Sequence, residues 1–243
     1  MNNILNIKDL SKTYYNSNGM IKVLNNINLD VYENEFISIV GSSGCGKSTL
    51  LNIIAGLDNN YNGTINKQDN INIGYMLQVD ALLPWLTIKD NCTLGLFLNG
   101  KKDDGKAIKL LNKYGLKDFI DKYPDELSGG MRQRCALIRT LLLDPDILLL
   151  DEPFSALDYQ TRLKVEEDIH DIIKRENKTA ILVTHDIEEA IAMSNKVVVL
   201  SKRPAKIKNI YDIKLEDKKI IDKRNDLKFK EYFMKIWNDI DDL

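Results

Sequence analysis

Cysteine is scarce: Cys45, Cys92 and Cys135 are the only three in 243 residues. They are too few and too scattered for a disulfide framework or a CxxC metal site, so they read as reduced, structural thiols. Excess charge of one sign is missing as well. With 34 basic and 36 acidic side chains, the formal net charge of -2 creates no global field toward nucleic acid or an anionic lipid surface. Any anionic ligand must therefore be held by a local site. Long hydrophobic runs are absent too. The longest, "DILLLD" and "KVVVLS", fall far short of the roughly 18 residues of a spanning helix, and no charged-then-apolar leader opens the chain. The expectation is a chain soluble by itself that can still dock on a membrane protein. Internal repeats and low-complexity tracts are also lacking. What is present is an ordinary globular balance, 44% hydrophobic and 29% charged, in a length sufficient for one sizeable core or two small ones.

The order of patterns along the chain predicts an interrupted α/β fold. From Met1 to about Val40, extended runs such as "ILNIKDLSKTYY" and "IKVLNNINLDVYENEFISIV" are separated by Asn-Asn and Glu-Asn turn signals. "FISIV" is a continuous apolar strand that runs into "GSSGCGKSTLLNIIAGL", a glycine-rich turn followed by helical spacing. The middle, about Asp80 to Leu143, holds no convincing strand. It reads as short helices broken by Gly115 and Pro124, then a longer helix through "GMRQRCALIRTLLLDP". Buried parallel strands return in "DILLLDEP", "TAILVTHD" and "KVVVLS", with helices "TRLKVEEDIHDIIKRE" and "IEEAIAMS" between them. A tail follows in which "LKFKEYFMKIWNDI" has an amphipathic helical pattern.

Three motifs carry chemistry. "GSSGCGKST" matches G-x-x-x-x-G-K-[ST] at Gly41, Gly46, Lys47 and Ser48, between a strand and a helix. Glycines let backbone N–H groups turn inward around an anion, and the helix N-terminus adds partial positive charge. The nucleotide-binding run is thus Gly41, Ser42, Ser43, Gly44, Cys45, Gly46, Lys47, Ser48 and Thr49, with Lys47 reaching the terminal phosphates and the Ser48 hydroxyl able to ligate Mg2+. "ILLLDEP" then ends a buried strand in two carboxylates. Ligands gather at the carboxyl ends of parallel strands, and adjacent strand residues point different ways. Asp151 is accordingly assigned to the Mg2+ shell and Glu152 to polarising or deprotonating the attacking water. "ILVTHD" ends another strand in His185, placed to approach a γ-phosphate or the catalytic water. The chain's other histidine, His170, lies in a helical pattern and reads as structural.

These residues in this order, with "LSGGM" ahead of "DE" and "SALD" just after it, resemble the ATP-binding cassette (ABC) ATPases from Met1 to about Lys208. The resemblance implies an α/β fold: a P-loop NTPase (RecA-like) core, an N-terminal antiparallel β subdomain and an inserted α-helical subdomain. In those terms residues 1–79 and 144–205 make the β subdomain and core, 80–143 the helical subdomain and 206–243 a short extension. Gln78, in "GYMLQ", looks like the glutamine that contacts Mg2+, and Asp158, in "SALD", like the aspartate that links two subunits. Tyr14, in "SKTYY", looks like the aromatic that stacks on adenine, with Tyr15 the competing choice; a stacked ring adds affinity more than it reads the base. Ser128, Gly129 and Gly130 would form a second phosphate cradle, closing over ATP held by the partner in a head-to-tail dimer. Most cassettes carry glutamine where this chain has Met131, which cannot donate a hydrogen bond.

"LLPWLT", "LSGGMRQR" and "LSKRPAKI" look most like the nitrate, sulfonate and taurine importer group. The resemblance then implies an ATPase with ATP and Mg2+ that partners a membrane permease and, indirectly, an extracytoplasmic solute-binding protein. It would sit peripherally on the cytoplasmic face of the membrane and bind no nucleic acid. The cluster Leu83, Pro84, Trp85 and Leu86 either anchors a loop in the core or lines a groove for a permease helix. Rival readings are an exporter or lipoprotein-release ATPase, a cassette acting on nucleic acid or ribosomes, and a nucleotide-dependent regulatory module.

Overall fold

The computed structural model describes residues 2–16, 19–216 and 219–241. In chain order the elements are β1 (Asn3–Asn16), β2 (Gly19–Tyr32), β3 (Phe36–Val40), α1 (Lys47–Ile54), β4 (Asn62–Lys67), β5 (Ile73–Met76), α2 (Ile88–Leu98), α3 (Asp104–Lys113), α4 (Gly129–Leu141), β6 (Ile147–Asp151), α5 (Tyr159–Arg175), β7 (Thr179–Thr184), α6 (Ile187–Met193), β8 (Lys196–Leu200), β9 (Ile207–Asp212), α7 (Ile220–Lys223) and α8 (Leu227–Asp241). They form two compact units, Met1–Ile71 with Thr179–Leu243, and Asn72–Lys178.

In the first unit, β2, β1 and β4 make an antiparallel sheet in that order. Ile4, Leu5, Ile7 and Leu10 of β1 and Val23, Leu24, Ile27, Leu29 and Val31 of β2 are buried, which fixes the register against a one-residue slip. The same unit carries β7, β3, β8 and β9 in that order. β3 pairs parallel with both β7 and β8, whereas β9 closes the edge antiparallel to β8. Every residue of β3 and β7 is buried, as continuous apolar runs in parallel strands require. Each fully buried Ile or Val there contributes about 2 kcal/mol. The one polar residue of β3, Ser38, is satisfied by the Ser194 hydroxyl. The amphipathic tail forms α8, which buries Phe229 and Ile236.

In the second unit, β5 pairs parallel with β6, Met76 opposite Leu150. Residues 80–143 hold α2, α3, α4 and two short 3-10 turns, with no strand. The break expected at Gly115 falls just beyond α3, where its φ of 77° ends the helix, and Pro124 opens a 3-10 turn. α2, α3 and α5 pack on α4. The α2–α4 contact brings the buried Sγ atoms of Cys92 and Cys135 to 3.4 Å as free thiols, and Cys45 is likewise free and buried. Helix α2 was not legible as a helix, nor were β4, β5 and β9 as separate strands.

Candidate functional site

The site is built from segments that follow strands. In the first unit, β3 ends at Val40 and the chain enters the glycine-rich loop before α1 begins at Lys47. Gly46 caps that helix at φ 128°, a conformation open to glycine, and a Cβ there would stand 2.8 Å from Val23 Cγ1 and 2.9 Å from Leu24 Cδ2. The loop thus rests directly on β2. Lys47 is buried, and its Nζ donates to the carbonyls of Gly41 at 2.9 Å and Ser42 at 3.3 Å. Cys45 is turned inward, and burial pushes its thiol pKa up. Ser43, Gly44 and Ser48 remain exposed. A loop with carbonyls engaged behind and a helix N-terminus ahead has the chemistry to receive an anion.

His185 follows β7 in the same unit. Val40 is paired with Thr184, so the exposed His185 emerges beside the start of the loop at Gly41. Asp186 next to it caps α6, accepting from the N–H groups of Glu188 and Glu189. Tyr14 also belongs to this unit. Its hydroxyl donates to Asp58 Oδ2 at 3.2 Å and its ring is 42% exposed, while Tyr15 is 76% exposed. His170, by contrast, sits in α5 of the second unit with a mostly buried ring beside Asp171.

In the second unit, Asp151 is the last residue of β6, and Gln78 lies just past the end of β5. The Tyr75 hydroxyl donates to Asp151 Oδ2 at 3.2 Å; burial and the adjacent carboxylate hold its pKa well above the usual tyrosine value. Glu152 has φ 43°. The chain thus turns into left-handed backbone directly after Asp151, the last residue of the strand. Such a residue costs on the order of 1 kcal/mol and persists only where neighbours hold it. Ser155 does so: its N–H and Oγ both donate to the Glu152 carbonyl, at 3.2 and 3.0 Å, and Gln78 Nε2 reaches Ser155 Oγ at 3.4 Å.

Ser128 caps α4, its Oγ accepting from the Met131 N–H at 3.4 Å. Met131 thus contributes through its backbone, where methionine and glutamine are equivalent. Ser128 is exposed and Gly129 partly so, but Gly130 is buried. A Cβ on Gly130 would stand 2.6 Å from Val165 Cγ2 on α5, and one on Gly129 would stand 2.9 Å from Leu157 Cδ2. Close helix packing is thus a further reason for these glycines. Asp158 caps α5, accepting from the Thr161 N–H at 3.1 Å; the Thr161 hydroxyl first, and this N–H second, hold its carboxyl below the usual range. Gly129 lies against Leu157, so the segments containing Ser128 and Asp158 meet.

Two contacts had no signal in the sequence. The Arg203 guanidinium donates to the Gly44 carbonyl on the outer side of the glycine-rich loop. Lys12 is buried beneath Tyr14.

A glycine-rich phosphate loop between a buried strand and a helix, with a histidine at the end of the neighbouring strand, defines a P-loop NTPase. A profile described as ABC transporter matches residues 24–155. An uncharacterized ABC transporter ATP-binding protein of Methanocaldococcus jannaschii is 43% identical over 98% of this chain and 91% of its own length. The aliphatic sulfonates import ATP-binding protein SsuB of Bacillus cereus is 42% identical over 87% of this chain and 86% of its own. The nitrate import ATP-binding protein NrtD of Synechocystis is 41% identical over 87% and 83%. A dimeric ATP-binding cassette in a post-hydrolysis state, bound to ADP and Pi, superposes with a TM-score of 0.73 at 30% identity, covering 87% of this chain and 99% of that one. The chain belongs to the ABC transporter family and is an ATP-binding, ATP-hydrolysing subunit of it. Among the described residues, no helix is long and apolar enough to cross a membrane.

Proposed function

We propose that this chain powers an importer: it hydrolyses ATP to drive uptake of a small nitrate-, sulfonate- or taurine-type solute through a membrane permease. The observation that carries the importer reading is the identity of about two residues in five with SsuB and NrtD, both named import ATP-binding proteins. The Walker-type run Gly41–Thr49 holds the phosphates, with Lys47 on the terminal ones. Glu152 takes the proton of the attacking water as its oxygen displaces ADP from the γ-phosphate, and His185 orients that water or the γ-phosphate. The Ser48 hydroxyl, the Asp151 carboxylate and the Gln78 amide oxygen are hard donors that fit Mg2+, an ion that takes its other ligands from phosphate and water. Mg2+ held by these residues would supply neutralisation of phosphate charge.

Two copies act head to tail, Ser128, Gly129 and Gly130 of one closing on the nucleotide of the other, with Asp158 at the contact; a relative solved as a dimer with ADP and Pi supports this. Residues 80–143 serve as the helical subdomain, 1–79 and 144–205 as the β subdomain and core, and 206–243 as an extension. Residues 1, 17, 18, 217, 218, 242 and 243 of these ranges lie outside the described residues. Trp85 is 70% exposed, which favours a permease contact over a core anchor. The assembly places the chain on the cytoplasmic face of the membrane, with the solute-binding protein as an indirect partner and no nucleic acid.

Co-expression with the neighbouring permease and solute-binding protein tests this reading. The expected result is a membrane complex whose ATPase rate rises with solute, and loss of permease association with retained ATP binding in Trp85→Ala. Co-purification with ribosomes, or solute-independent export by the complex, would overturn it.

A further inference from the structure

We infer that Lys12 is a positioning residue for the nucleotide base, holding Tyr14 as a one-sided stacking platform; this rests on the assignment of Tyr14 as the ring that meets adenine. Lys12 is 3% exposed, an unusual burial for an ammonium. Its three protons have three destinations: Asp58 Oδ1 at 2.7 Å, the Asn60 carbonyl at 2.6 Å, and the face of the Tyr14 ring, whose centroid lies 4.6 Å from Nζ. Asp58 spends its second oxygen on the Tyr14 hydroxyl at 3.2 Å, so one carboxylate fixes both the ring's edge and the cation beneath it. The Lys12 ammonium, in turn, holds the Asp58 carboxyl below its usual range.

This cluster is wired to the phosphate loop by two routes. The Asp58 N–H donates to the Asn52 carbonyl of α1, the helix that the loop opens. Lys12 is also paired across the sheet with Leu24, whose side chain lies against Gly46. Lys12 and Tyr14 are two residues apart on β1 and share a face, whereas Tyr15 points the other way. The arrangement selects Tyr14 over Tyr15. An ammonium against one face closes that face to the base and draws π density toward itself, leaving the far face electron-poor. Such a face suits an electron-rich purine.

The test is binding of ATP and of inorganic tripolyphosphate, which carries phosphates without a ring, to the full chain with Mg2+. Tyr14→Leu and Lys12→Met should each weaken ATP about three- to tenfold, and the double variant little more than either. Tripolyphosphate should bind all of them as it binds the wild type. Weakened ATP in Tyr14→Leu with unchanged ATP in Lys12→Met would overturn the role of Lys12 while leaving that of Tyr14. Weakening in Tyr15→Leu but not in Tyr14→Leu would remove the underlying assignment. Equal weakening of ATP and tripolyphosphate in Lys12→Met would make Lys12 a general support of the fold and overturn the inference. Should Lys12→Met not fold, Asp58→Asn reads the same quantity, because it releases the ammonium and the hydroxyl at nearly constant shape.

Discussion

Lys47 and Glu152 illustrate how two residues with motif signals acquire different physical reasons. Lys47 is held across its own loop by the Gly41 and Ser42 carbonyls, so its ammonium is preorganised, with little side-chain entropy left to lose on meeting a phosphate. Lys47→Ala should weaken ATP at least tenfold, measured by equilibrium binding, since a charge-assisted contact of about 1.5–3 kcal/mol is lost. Normal affinity would dismiss the phosphate-loop role. Glu152 differs, because its position depends on a left-handed turn secured by Ser155. Glu152→Gln keeps the turn and removes only the base. It should bind ATP normally and hydrolyse it about 100- to 10,000-fold more slowly, accumulating a closed dimer detectable by size-exclusion chromatography. Wild-type turnover would exclude Glu152 as the base.

Helix α4 shows how a single glycine can serve packing as well as ligand approach. Because Gly130 abuts Val165 and Thr161 of α5, a methyl group there overpacks the contact between the two helices. Gly130→Ala should lower unfolding free energy by about 1–3 kcal/mol in urea titrations, and adding Val165→Ala should recover part of that loss. An unchanged midpoint in the single variant would mean that packing does not require the glycine. The same element explains the tolerance of Met131, whose N–H, and not its side chain, completes the cap at Ser128.

Over the whole molecule, acid should act through carboxylates that folding prefers charged. Asn6 and Asn3 hold Asp30 below its usual range, Lys12 does so for Asp58, and Lys178 for Asp144. The unfolded chain binds protons at these sites more readily, so their contribution is complete above the ordinary carboxylate value near 4 and is lost as pH falls through the depressed folded values. Asp168, raised by burial, acts in the opposite sense. The urea midpoint should stay level from pH 7 to about 5 and then decline. A midpoint that rose between pH 5 and 3 would contradict this balance.

The glycine-rich loop, the carboxylate and histidine strand ends, the α/β core and the helical stretch were legible along the chain, because each rests on local chemistry: glycine spacing, a long apolar run, a helix period. Helix α2 was hidden because Asn91, Thr93 and Gly95 blur its period and Phe97 and Leu98 face solvent. β5, at four residues, and the half-exposed edge strand β9 are too short or too mixed to alternate clearly. Folding adds what the motifs do not carry: Glu152 leaves the strand through a strained turn, Gly130 is closed by α5, and a buried Lys12 stands under Tyr14. The last two depend on residues far apart in the chain, Val165 against Gly130 and Asp58 with Asn60 around Lys12, and the first on a turn that Ser155 closes three residues on, which no hydrophobic pattern encodes.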